Sequence, residues 1–189
     1  MDDPLTPEEQ KLLLELARQA IQEAVCGNFI TPLDLTRLTP RLQEIRSSFV
    51  TLTIQGELRG CIGSLESYQP FVEDVREHAV AAALQDYRFP PVCLDELSKI
   101  RIEISRLTAP CLLCYDCQED LPAILRPEID GVVLRDGLQR ATFLPQVWSK
   151  IPDPEAFLNQ LCLKLDAAPN IWRLKKLEVY TYQVEVFHE

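Results

Sequence analysis

The chain has 189 residues, 47% hydrophobic and 25% charged, with a formal net charge of −10. That length supports one ample core, and the composition is that of a globular protein. The acidic balance argues against a non-specific phosphate-backbone binder, which needs a basic stripe, and no apolar run approaches the roughly 18 residues of a membrane span.

The opening stretch, MDDPLTPEEQ, is acidic where an export signal is basic and then apolar. Seven cysteines without such a signal are expected to be reduced thiols in a cytoplasmic protein. Thr6-Pro7-Glu8-Glu9 supplies an N-capping threonine, a proline at the first helical position and a glutamate at the third, a capping box. The spacing of Leu13, Leu16, Ala17, Ala20 and Ala24 predicts a helix to about Val25, stopped by Cys26-Gly27-Asn28. Residues 30–48 show no sustained period and read as a loop with a short helical turn. Phe49 to Leu65 then reads as two strands around a Gln55-Gly56 turn. Alternation along the return arm places Glu57, Arg59, Cys61 and Gly63 on one face.

Pro70 opens a second helix, with Phe71, Val75, Ala79, Ala82 and Ala83 as its apolar stripe, ended by Pro90-Pro91. Asp86, Arg88 and Phe89 are left together in a loop. Ile100, Ile102 and Ile104 alternate with Arg101, Glu103 and Ser105 as a half-buried strand. The second half repeats this order. Gly131 to Arg135, the Asp136-Gly137 turn and Leu138 to Leu144 form a hairpin, followed by a proline-containing link and a helix through Phe157, Leu158, Leu161 and Leu165. Leu177 to Phe187 alternates as one long final strand. The turn glycines 56 and 137 lie 81 residues apart, as do Arg59 and Arg140. Hairpin, helix and strand recurring in one order imply a degenerate duplication and an α+β fold of two β-β-α-β-like subdomains, roughly 45–108 and 128–189.

The densest run of unusual choices is Leu58-Arg59-Gly60-Cys61-Ile62-Gly63. Cys61 is the candidate nucleophile or metal-binding thiolate, with Arg59 to lower its pKa and backbone amides near Gly60 and Gly63 for an oxyanion. The plainer reading is that two glycines and a small thiol let another element pack closely. Glu103 and His78 are the candidate proton carriers. Arg59, Asp86, Arg88 and Arg140 are candidates to line an anion-binding cleft between the halves; alternatively, an arginine–carboxylate pair pins the Asp86 loop. Cys111, Cys114 and Cys117 have the CxxCxxC spacing of part of a metal ligand set, but no fourth ligand lies nearby, so no metal site is expected. No phosphate-cradling loop, nucleotide fingerprint, HExxH or serine elbow is present.

The same hexapeptide, with Pro70, the run Asp86-Tyr87-Arg88-Phe89-Pro90-Pro91, Asp130-Gly131, the run Ala141 to Trp148 (ATFLPQVW) and Glu178-Val179-Tyr180, resembles the signature of the AMMECR family. In bacteria that family is called AmmeMemoRadiSam system protein A. The resemblance covers most of the chain. It implies a single domain over residues 1–189 whose two α+β subdomains share one core behind an extra N-terminal helix (6–26). It also implies an acidic residue at Glu103, a functional FLPQVW segment with Gln146 as its polar handle, and a Memo-like protein and a radical SAM enzyme as partners. Neither the residues nor the resemblance names a cofactor. Two readings follow. One is a binding or auxiliary component of that multi-protein system, taking a small anionic ligand. The other is an enzyme with a Cys61 nucleophile, a Glu103 or His78 proton carrier and Arg59 as stabiliser, acting on a small anionic or carbonyl substrate.

Overall fold

Helix α1 (Pro7–Val25) begins where the capping box puts it. Thr6 Oγ1 accepts the Glu9 N–H, and the Glu9 carboxylate accepts the Thr6 N–H. The computed structural model describes residues 4–189. After α1 come a 3-10 turn (Leu35–Arg37), α2 (Pro40–Gln43), β1 (Ser48–Ile54), β2 (Glu57–Gly63), α3 (Phe71–Leu84) and β3 (Ile100–Leu107). The second half supplies β4 (Cys111–Leu112), α4 (Leu121–Ile124), β5 (Gly131–Asp136), β6 (Gln139–Phe143), α5 (Pro154–Lys164), α6 (Ile171–Leu174), β7 (Glu178–Tyr182) and β8 (Val184–His188). Among the described residues no helix is long and apolar enough to cross a membrane.

The chain divides into two units. The first runs to Leu107 and includes Glu185–Glu189; the second is Thr108–Val184. The first unit's sheet has the order β2-β1-β3-β8. Val50, Leu52, Ile102 and Ile104 are buried from it against Leu13, Ala17 and Ile21 of α1 and Phe71, Val75, Ala79 and Ala82 of α3. The second unit's sheet has the order β4-β7-β5-β6, and its core gathers Val132, Leu134 and Val179 with Phe157, Leu158 and Leu161 of α5 and with Trp148 and Trp172. Each unit carries its own cluster of buried side chains, a finer partition than the one shared core that the resemblance implied.

The predicted long final strand is two strands. β7 pairs with β5 and β4, and β8 lies beside β3 in the other sheet. The break falls at Gln183, whose N–H donates to Thr108 Oγ1 and whose carbonyl accepts the Thr108 N–H. Both sheets thus acquire a fourth strand outside the repeated hairpin–helix–strand order. The segment with three cysteines supplies one of these in β4, with Cys111 opposite Thr181.

The first hairpin also departs from strict alternation. Gln55 and Gly56, at φ 53° and 85°, make the mirror-image turn that suits the twist of two strands. Leu52 then faces Gly60 while Thr53 faces Leu58, so Arg59 is the extra residue of a β-bulge. Below the bulge the faces swap, and Leu58 rather than Glu57 shares a face with Cys61. The second hairpin has a regular register, with Leu134 opposite Ala141 and Asp136 opposite Gln139. Its turn residues are Gly137 and Leu138, one step out from Gln55 and Gly56. Thr142 is therefore the counterpart of Cys61, Arg140 that of Leu58, and Arg59 has none.

Gly60 faces the core helix. A Cβ there would lie 2.1 Å from the carbonyl oxygen of Ala82 on α3. Gly60→Ala is expected to force α3 away from β2 and destabilise the protein by about 1–3 kcal/mol, read from urea unfolding; an unchanged midpoint would show that α3 moves freely.

Candidate functional site

β2 is an edge strand, so the outward N–H and C=O of Cys61 need partners. The loop after α3 provides them. Asp86 Oδ2 accepts the Cys61 N–H at 2.8 Å, and Arg88 Nη2 donates to the Cys61 carbonyl at 3.2 Å. Arg88 in turn grips Asp86 through Nε at 2.9 Å and Nη2 at 2.6 Å, while Asp86 Oδ1 also accepts the Arg88 N–H. Asp86 is 4% exposed. The Arg88 hydrogen bonds hold its carboxyl well below the usual carboxylate range against the opposing effect of burial, helped by the Cys61 N–H.

A second pin holds the far side of the same loop. Arg59 forks onto both oxygens of Glu96, at 2.8 and 3.0 Å, and its Nη1 donates to the Pro90 carbonyl. Arg59, with the Cys93 N–H, lowers the Glu96 carboxyl to about 2. The guanidinium expected to activate Cys61 is therefore committed to the loop, and the pinning alternative is the one the geometry displays.

The Cys61 thiol is half-buried on the sheet face away from the helices. It accepts a hydrogen bond from Thr51 Oγ1, directly opposite on β1, at 3.3 Å. Glu103 stands opposite Thr51 on β3, so Cys61, Thr51 and Glu103 form one row across three strands. Two strand spacings, roughly 10 Å, separate the ends of that row, beyond the reach of direct proton transfer. His78 is on the other face. Its Nδ1 lies 3.1 Å from Asp74 Oδ2 and 3.2 Å from Ser48 Oγ, and Ser48 donates to the same Asp74 oxygen at 2.6 Å. Ser48 shares the inward face of β1 with Val50 and Leu52, so the sheet separates His78 from the Cys61 thiol.

Both glycines permit a close approach. Gly60 admits Ala82, and Gly63 admits the ring of Phe49, which a Cβ would approach to 2.3 Å. The amide between them, that of Cys61, is already used by Asp86. The remaining candidates belong to the second unit. Arg140 sits on β6 opposite Arg135, and Gln146 is exposed on a 3-10 turn (Pro145–Ser149). The rest of FLPQVW is largely structural. Trp148 stacks on Phe157 with ring centres 3.6 Å apart and donates its indole N–H to the Asp130 carbonyl at 2.7 Å.

The family model AMMECR1 matches residues 14–187. The chain belongs to the AMMECR1 family. A protein of Methanothermobacter thermautotrophicus is 38% identical over 189 residues, covering 98% of this chain and 97% of its own. One of Methanocaldococcus jannaschii is 33% identical over 192 residues, covering 98% and 92%. The crystal structure of an uncharacterized protein from Pyrococcus horikoshii superposes with a TM-score of 0.86 at 34% identity, covering 98% of this chain and 93% of that one.

In this AMMECR1 domain three neighbours of the candidate residues escaped the sequence reading: Thr51, Phe49 and Glu96. A regular register counted back from the turn would have put Val50 and Ser48 opposite Cys61 and Gly63; the bulge at Arg59 brings Thr51 and Phe49 there instead. Glu96 carries the capping-box spacing from Cys93, whose N–H it accepts at 2.8 Å. No signal ties it to Arg59.

Asp86 and Glu96 titrate lower in the folded chain than the usual values of about 3.9 and 4.3. Their stabilising effect is thus full above those values and is lost as pH falls through the folded ones. Asp86→Asn and Glu96→Gln are expected to flatten the loss of stability between pH 5 and 2, measured by urea titration. Acid limbs parallel to that of the unaltered protein would contradict the two pins.

Proposed function

We propose that this AMMECR1 domain is a binding, auxiliary component that works in the cytoplasm beside a Memo-like protein and a radical SAM enzyme, with the Asp86–Pro91 loop as its docking element. The observation that carries the reading is Tyr87, 95% exposed on a loop held from both sides. Asp86 and Arg88 fix its start, and Arg59 fixes Pro90. A rigid, outward aromatic loses little conformational freedom when a partner covers it, the property of an interface anchor. Leu58 and Leu94, also exposed, lie on segments that flank the pins. The charges that would activate a thiol are spent on presenting this loop. The choice of partners rests on the company that the family's bacterial name describes.

Tyr87→Ala is expected to weaken capture of the Memo-like or radical SAM protein encoded by the same genome by more than about tenfold, with an unchanged melting temperature. Capture at undiminished affinity, or none by the unaltered protein, would remove the reading.

A second reading, a Cys61 nucleophile for a small anionic or carbonyl substrate, has one observation in its favour, the Thr51 hydroxyl donated to the Cys61 sulfur. Cys26 and Cys93 are exposed free thiols and provide internal controls. On the binding reading, peptide mapping after brief alkylation labels Cys61 no faster than those two. Selective early labelling of Cys61 would favour the nucleophile.

A further inference from the structure

We propose that the outer face of the first sheet, between Arg88 and Glu103, takes a small planar carboxylate, an aromatic acid with a hydrogen-bond donor opposite its carboxylate. This deepens the binding reading, on which it rests, by naming a ligand class beside the docking loop.

The floor of the site is Phe49. Its ring lies on Gly63, where a Cβ would come within 2.3 Å of Cγ and 2.5 Å of Cδ1, so only glycine lets the ring lie down on β2. Phe49 is half-buried, yet it belongs to neither core cluster and is not among the side chains packed against them. The Phe49–Gly63 pair adjoins the Thr51–Cys61 pair along the same face. An aromatic surface therefore runs directly beside a polarisable sulfur and a hydroxyl, a surface suited to a flat ring.

The two ends carry opposite charge. Arg88 uses Nε and Nη2 on Asp86 and Cys61 and lies over the Phe89 ring, 5.6 Å from its centre, while its Nη1 makes no hydrogen bond among the described residues. Its side chain is 45% exposed. That free N–H is the carboxylate acceptor's match. At the other end Glu103, half-buried opposite Thr51, offers an acceptor to a hydroxyl or amine. The roughly 10 Å between Cys61 and Glu103 accommodates one ring with its two substituents. A longer or branched acid would overrun the Glu103 end, and an uncharged one would leave Arg88 unmatched.

The test titrates the full chain, by calorimetry and amide NMR, with 4-hydroxybenzoate, benzoate, cyclohexanecarboxylate and 4-hydroxybenzamide. The first is expected to bind about tenfold or more tightly than each of the others. Phe49→Leu should abolish the preference over cyclohexanecarboxylate, and Glu103→Gln the preference over benzoate, with both variants folded under the titration conditions by their amide spectra. Tyr87→Ala should bind the acid unchanged. No saturable binding, equal affinities for the four probes, or preferences indifferent to Phe49→Leu and Glu103→Gln would each overturn the proposal. Partner capture lost in Tyr87→Ala, with no acid bound by the unaltered chain, would sink the ligand class and leave the docking loop standing. Acid binding with partner capture indifferent to Tyr87→Ala would do the reverse.

Discussion

The backbone of Cys61 is an edge that has been given substitutes for a neighbouring strand. Its N–H goes to the Asp86 carboxylate and its C=O to the Arg88 guanidinium, and those two groups satisfy each other. This one exchange closes the sheet edge, fixes the loop after α3 and aims Tyr87 outward. It also explains why a bulge is tolerated at Arg59. Two glycine contacts and two charged pins hold β2 on either side, so an extra residue shifts the face pattern without freeing the strand. A buried carboxylate is stable there because its hydrogen bonds are charge-assisted and come from four donors fixed by the fold.

The same arrangement divides the work of the motif. In LRGCIG the arginine and the first glycine are structural, one reaching Glu96 and the other admitting α3. The second glycine makes room for an aromatic ring, and the cysteine keeps its side chain on the outer face. The arginine and both glycines therefore serve architecture, and of these four residues only the cysteine keeps a free side chain on the outer face. A reading that assigned the whole hexapeptide to catalysis, or the whole of it to packing, would miss that division. The second hairpin makes the contrast plain. With a regular register and Thr142 where the first has Cys61, it has its Thr142 carbonyl held by Lys164 Nζ of α5 rather than by a loop arginine, and Thr142 Oγ1 donates to the Val132 carbonyl of its own sheet.

What the sequence made legible was local. The capping box, the hairpin turn, the helix after Pro70 and the Ile100–Ile104 alternation each depend on neighbours within a few residues, and each stands where its pattern put it. What stayed hidden depended on distant or single-residue events. The bulge at Arg59 changes no composition, yet it reverses the face of every residue below it. The alternation from Leu177 to Phe187 is continuous in sequence because both β7 and β8 are half-buried strands. Only the Thr108–Gln183 hydrogen bonds reveal that the chain changes sheets there. Arg59 and Glu96 are 37 residues apart, with nothing in either local pattern to pair them. Periodicity reports burial on one face and is blind to which partner provides it.

The placement of β8 bears on how the chain comes to be folded. Phe187 is buried in the first unit's core, Glu185 holds the Leu5 N–H and Arg106, and Glu189 holds Arg18. All of Thr108–Val184 must be synthesised before these contacts form. During translation the first sheet waits as three strands, with β3 an open edge, while the second unit has its residues in hand and closes first. β8 is the latch on the first unit, and it is made only after the whole of the second.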